Sequence, residues 1–345
     1  MKKDFSIIYI IPLVVTLLMG CGPSGSSFKI NGSFESMKGG ELYIYNLTDE
    51  YARLDTINVA DGQFEYSGET TNDVVPYMLV FPNAVEQVIF VAAGQEISYE
   101  VEGNDLRSCT VKGNEENELM NEFRKATASK SPNEVQKIAA EYINKHASSP
   151  VAAYLFERYY VQANATGKNT HKLLNTLKKA QPKNDIVMHA EGMLKMTERS
   201  SIGKVIADMD ISDKNNKKTK LWGKHKDEPT LIIFWATWAA DSYDLLWKVR
   251  ASRRNNNDSI KGRCVCVSLD TELFRFETDI RPDSTNNIEQ YCDGLAFESP
   301  VIKKLGVAKL PYYIITDEKH KIVATGYNGE KLMDDMKKYL KAKSK

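Results

Sequence analysis

A multi-domain chain, with an all-β sandwich or barrel first, an α-helical connector next and an α/β domain last, is predicted by three changes of hydrophobic rhythm. Residues 28–112 show short alternating apolar and polar runs broken by turn residues. Residues 113–201 shift to the 3.6-residue period of amphipathic helices. From 202 to 345, continuous apolar runs alternate with helical ones. At 345 residues the chain exceeds what one core fills, which agrees with several domains.

Each part can be justified from its residues. The runs "FKINGSF", "ELYIYNL", "DTINV", "QFEYSG", "PYMLVF", "QVIFVA" and "EISYEVEG" read as strands, and Asp61-Gly62 between Val59 and Phe64 reads as a hairpin turn. In the connector, Ser131 followed by Pro132 and Ser149 followed by Pro150 are helix starts, because proline is tolerated where its missing N–H has no intrahelical partner. The apolar stripe of Ile138, Tyr142 and Ile143 is read as core. In the last part, "TLIIFWA" and "RCVCVSLD" are apolar throughout, as strands buried on both faces are. Tyr243, Leu246 and Trp247 then fall on one side of a following helix, "SPVIKKLG" is a short helix, and "PYYIITDEKHKIVATG" is a hairpin turning at Asp317 to His320. "EKLMDDMKKYL" is a closing helix.

Charge narrows the partners. Lys and Arg total 46 and Asp and Glu total 46, so no net field favours nucleic acid. The N-terminus is different: Lys2 and Lys3 precede the apolar "FSIIYIIPLVVTLLMG", the pattern of a secretory signal. Its end, "LLMGC", resembles the bacterial lipobox. The resemblance implies a lipoprotein signal peptide over 1–20 and acylation of Cys21, with the lipid bilayer as a partner. Residues 21–27 would form a lipid-anchored tether, since "GPSGSS" is flexible. The expected location is the cell envelope, facing the periplasm.

Chemistry is sparse. His146, His171, His189, His225 and His320 show no metal-ligand spacing, and no phosphate loop or nucleophile elbow is present, so neither metal nor cofactor is expected. Beyond Cys21 stand Cys109, Cys264, Cys266 and Cys292, and no pair has C-x-x-C spacing. Cys264 and Cys266, two apart on a strand, should share one buried face. Cys292 in "EQYCDG" is expected to be more accessible, and Cys109 to sit at a strand end.

The segments "LIIFWATW", "VCVSLD" and "ESPVIKKLGVAKLPYYIITDEKHKIVA", with the terminal helix, resemble in residues and order the thioredoxin-like envelope proteins of TlpA and ResA type. Residues 28–112, best at "LDTINVADGQFEYSG", resemble a β-rich domain of unknown function common in such lipoproteins. The resemblance implies a thioredoxin-like fold for 202–345, with the two active-site cysteines falling on Ala239 and Ser242 and the cis-proline on Pro311. Disulfide exchange needs an attacking thiolate and a second thiol to release the mixed disulfide. Alanine has no nucleophile and serine forms no disulfide, so no catalytic residue is expected there. Asp241 reads as an ordinary first-turn helix acid.

The expected function is binding of a peptide or envelope-protein partner without redox turnover. Trp238, Leu310, Pro311 and Tyr312 are the candidate contacts, because backbone beside such a proline can pair with an extended segment. Two alternatives stand beside it: a thiol oxidoreductase or peroxidase using Cys292 or the Cys264/Cys266 pair, and a structural or ligand-capture lipoprotein working through its β-domain.

Overall fold

The computed structural model describes residues 25–49, 53–83, 85–163, 167–225, 227–254, 262–273 and 288–340. The leader 1–20 and Cys21 lie outside these described residues. No helix among the described residues is long and apolar enough to cross a membrane. The chain divides into two compact units, Met1–Met188 and His189–Lys345.

In the first unit, strands β1 (Ser27–Phe34), β2 (Gly39–Asn46), β3 (Asp55–Ala60), β4 (Gln63–Glu69), β5 (Val75–Val80), β6 (Glu86–Val91), β7 (Glu96–Val101) and β8 (Cys109–Lys112) form one sheet. Its order is β6-β5-β2-β3-β4-β1-β7-β8. All pairs are antiparallel except β1 with β7. Strand alternation puts Phe28, Ile30, Leu42, Ile44, Ile97 and Tyr99 into one core. The expected hairpin is present: Ala60 faces Gln63, and Asp61 and Gly62 have φ of 52° and 80°. A Cβ on Gly62 would lie 2.7 Å from the Phe34 carbonyl oxygen, so glycine is required there. The sequence reading did not single out β8, whose four residues are too few to show a period.

The two edge strands of this sheet are both sealed by one helix, α1 (Glu115–Thr127). The Asn117 side chain accepts from the Phe90 N–H at 2.9 Å and donates to the Phe90 carbonyl at 2.8 Å, on β6. Asn121 does the same to Val111 of β8, at 3.1 Å and 2.7 Å. An amide side chain offers the same donor and acceptor as a peptide unit, so each asparagine stands in for a neighbouring strand. Arg124 adds a bond from Nη2 to the Val88 carbonyl at 2.6 Å. Helices α2 (Pro132–Lys145), α3 (Pro150–Phe156) and α4 (Lys168–Ala180) follow. Ser131 and Ser149 precede α2 and α3 as expected; Ser131 N–H donates to Glu134 at 3.0 Å, and Ser149 Oγ accepts from Val151 N–H at 3.1 Å. Phe90 meets Tyr154 of α3 edge-on at 6.1 Å. Helices α1 to α4 therefore belong to the first unit.

The unit boundary falls within α5 (Asp185–Thr197). The second unit holds a short hairpin, β9 (Asp210–Ser212) and β10 (Lys218–Lys220), and a five-stranded sheet. The sheet consists of β11 (Thr230–Trp235), β12 (Arg263–Ser268), β13 (Ile288–Cys292), β14 (Tyr312–Thr316) and β15 (Ile322–Gly326), in the order β13-β12-β11-β14-β15. The first three are parallel, while β14 and β15 run antiparallel. The unbroken apolar runs have a direct cause, since both faces are covered. Leu231, Ile233 and Trp235 pack with Leu245, Leu246 and Val249 of α6 (Ala240–Arg254) and with Leu332 and Met336 of α8 (Gly329–Tyr339). Ile232 and Phe234 pack on the other face with Val301, Ile302 and Leu305 of α7 (Pro300–Leu305) and with Ile206, Ile211 and Trp222.

The sheet's outer strands are also managed. Backbone bonds from Gly203 N–H to Ile322 O and from Ile322 N–H to Lys204 O, both 2.8 Å, lay residues 203–206 along β15. On the other side, buried Arg263 of β12 grips Glu289 of β13 through Nε and Nη2 at 2.7 Å each, and Tyr291 Oη–H adds a bond at 2.8 Å. Half-buried and polar, β13 carries no apolar run, and for that reason the sequence reading passed over it.

Candidate functional site

The site is built on the four residues between the end of β11 and the start of α6. Because β11 and β12 are parallel with Trp235 opposite Ser268, the residues just beyond both strands come together. Asp270, itself buried, accepts from the Thr237 N–H at 3.0 Å, from Thr237 Oγ1–H at 2.8 Å and from Ser268 Oγ–H at 2.6 Å. This clamp fixes the loop, and the chain then turns into α6 with Ser242 N–H bonded to Ala239 O at 2.8 Å. Thr237, Ser268 and Asp270 were not singled out from the sequence. Their signal is small: polar residues immediately after two apolar strands that pair side by side.

Beyond the clamp, Trp238 is left 56% exposed and meets Phe297 at 6.4 Å between ring centroids. Phe297 and Leu295 are themselves exposed, at 38% and 50%. The peptide bond Leu310–Pro311 is cis. Ala239, Tyr291, Leu310 and Tyr327 are half-buried and pack against one core face of the sheet.

Two of the expected contact residues lie inside. Pro311 is buried, and Tyr312 is only 4% exposed. Strand alternation turns Tyr312 into the core, where it shares a hydrogen bond with Ser200 Oγ at 2.8 Å and packs against Tyr327 at 4.8 Å and Phe234 at 6.0 Å. Burial pushes its hydroxyl pKa up.

Ser242 is fully buried in the first turn of α6, and its Oγ has no hydrogen-bond partner among the described residues. Asp241 beside it is exposed, as expected of a first-turn acid.

All four cysteines of the described residues are buried thiols. Cys264 and Cys266 share one core face, as expected, and Cys292 joins them there. The expectation that Cys292 is the accessible thiol is corrected. As the last residue of β13 it points into the core, its Sγ–H donates to the Asp270 carbonyl at 3.3 Å, and burial pushes its pKa up. Cys109 opens β8 and donates to Gln87 Oε1 at 3.4 Å, its pKa also raised by burial. A raised pKa depletes the thiolate that would react. Among the described residues, no group of three metal-ligating side chains is gathered.

Residues 28–120 match the family model DUF4369, a domain of unknown function. No curated protein matches the chain significantly. Among solved structures, the chain is similar to a thiol-disulfide oxidoreductase from Bacteroides fragilis NCTC 9343, 23% identical over 39% of this chain and 98% of that one, with a TM-score of 0.32. A thiol:disulfide interchange protein from Bacteroides sp. is 18% identical over 43% and 95% of the two chains, with a TM-score of 0.35. A thioredoxin-like protein from Bacteroides caccae ATCC 43185 is 10% identical over 58% and 76%, with a TM-score of 0.43. Residues 28–120 thus match a β-rich domain of unknown function, and the second unit is an α/β sheet covered by helices with Ala239 and Ser242 at the turn into α6.

Proposed function

We propose that this chain is a redox-inactive, thioredoxin-like envelope lipoprotein that binds a peptide or protein partner without thiol–disulfide exchange. One observation carries the reading: where exchange chemistry needs a thiolate and a resolving thiol there are Ala239 and a buried Ser242, while Trp238 beside them stays open to solvent. An apolar surface of Trp238, Phe297 and Leu295 is a feature that a fold does not need for its own stability and a partner can use. The backbone at Leu310, ahead of Pro311, is free of regular strand pairing and offers an extended partner a place to add. Anchoring through acylated Cys21 would hold the chain at the envelope membrane, facing the periplasm.

Burial of Cys264, Cys266 and Cys292 weighs against a thiol enzyme built on them. The test is an insulin-reduction assay alongside peptide binding, both on the full-length chain in detergent. No turnover, together with peptide binding that Trp238→Ala weakens about tenfold, is the expected result. Cysteine-dependent turnover, lost on Cys292→Ser, would overturn it. Unchanged partner binding in Trp238→Ala would shift the working part to the β-rich domain.

A further inference from the structure

Trp238 and Trp247 are the exposed tryptophans of the second unit, and the chain treats them differently. Trp247, on α6, carries its own cation, with Arg250 Cζ 5.9 Å from its ring centroid. Trp238 meets Phe297, yet among the described residues no cation of the chain covers its ring. An indole face attracts a cation more strongly than other rings do, so an open one flanked by carboxylates is a seat for a cation from outside.

Both loops that carry this aromatic pair also carry such a carboxylate. Asp293 Oδ1 accepts from Leu295 N–H at 3.0 Å and Oδ2 from Ser299 Oγ–H at 2.6 Å, so the group is tied to the residues two places either side of Phe297. Asp241 is exposed three residues after Trp238. Two tight turns lie between them, closed by Ala239 N–H to Ala236 O at 3.2 Å and Ser242 N–H to Ala239 O at 2.8 Å. They hold the span below the roughly 10 Å that three extended residues would reach. Neither carboxylate has an ion-pair partner among the described residues, whereas Asp244 is paired with Lys248 and Glu298 with Lys303. The N-terminus of α6 offsets only about half a charge at Asp241. Negative charge therefore remains on both loops. Resting on the peptide-binding reading above, we propose that this surface selects a basic extended segment, whose cationic side chain sits on the Trp238 ring with Asp241 and Asp293 supplying the counter-charge.

The experiment uses the full-length chain in detergent and measures affinities by calorimetry. The Trp238 indole N–H resonance, assigned by its loss in Trp238→Phe, reports where a peptide sits. The probes are acetyl-Val-Thr-Arg-Thr-Val-amide and its counterparts with Gln or Glu at the centre. The Arg peptide is expected to bind about fivefold tighter than the Gln peptide at low salt, with the Glu peptide weakest. The preference should shrink at about 1 M NaCl. Asp241→Asn should lower it to about twofold while leaving Gln-peptide affinity within about twofold, and Asp241→Glu should keep it.

Equal affinity for the Arg and Gln peptides in the unaltered chain overturns the cation selection and leaves the peptide-binding reading standing. An Arg preference that is undiminished in Asp241→Asn also overturns it. If peptides bind without moving the Trp238 resonance, the selection is misplaced and falls. If no peptide binds, the peptide-binding reading itself fails and the selection with it.

Discussion

At the scale of single residues, Ser242 and Asp270 differ in how their polar atoms are satisfied. Ser242 Oγ is buried without a hydrogen-bond partner among the described residues, and an orphaned buried hydroxyl is destabilising. Ser242→Ala is therefore expected to stabilise the second unit by about 1 kcal/mol, read as a higher urea midpoint. An unchanged or lower midpoint would mean that the hydroxyl finds a partner in solution. Asp270 is the reverse case, since it accepts three bonds from Thr237 and Ser268. Asp270→Ala leaves the partly buried Thr237 N–H without its acceptor and should cost about 2 kcal/mol. The same change should loosen the loop that carries Trp238, visible as a broadened Trp238 indole N–H resonance.

At the scale of elements, the decisive contact in the first unit is α1 against the two edge strands. Asn117→Ala leaves both the N–H and the carbonyl of Phe90 unpaired, and Asn121→Ala does the same to Val111. Each change should cost about 2 kcal/mol, more than the roughly 1 kcal/mol expected for loss of the Ser131 cap on α2. Hydrogen exchange separates the two asparagines, because Asn117→Ala should speed exchange at the Phe90 amide and Asn121→Ala at the Val111 amide. Equal exchange in both variants would mean that α1 packs without sealing the edges. The matched family model ends at residue 120, before Asn121 and Arg124, yet the geometry makes α1 a working part of the β-rich unit.

At the scale of the whole molecule, two units with separate cores should not melt as one. Calorimetry is expected to show two transitions, with Asn117→Ala lowering only one of them and Ser242→Ala raising only the other. A single transition moved by both changes would contradict independent units. Acid should act on the second unit through Glu289. Burial tends to raise its pKa, but hydrogen bonds from Arg263 and Tyr291 outweigh that and the net shift is downward. A carboxylate depressed on folding contributes stability above its unfolded pKa of about 4.3, and that contribution is lost as pH falls further towards the folded value. The second transition should drop below about pH 4, and Glu289→Gln should flatten the drop.

Much of this was legible in the chain because periodicity reports burial on one face or on both. The alternation from residue 28, the Asp61-Gly62 turn, the Ser-Pro helix starts and the unbroken runs of β11 and β12 carry that information locally. That Ala239 and Ser242 carry no thiol is likewise a property of the sequence, since no folding supplies a missing sulfur atom. Strand β13, the asparagine clamp of α1, the Thr237–Asp270 clamp, and the burial of Tyr312 and Cys292 were not legible. All of these join residues far apart in the chain, and which partner a polar side chain meets is set by strand register and helix docking. The sequence by itself determined that positions 239 and 242 carry no thiol; only the tertiary structure decided that Trp238 stays exposed while every cysteine among the described residues is buried, because burial is a property of packed faces and not of residue type.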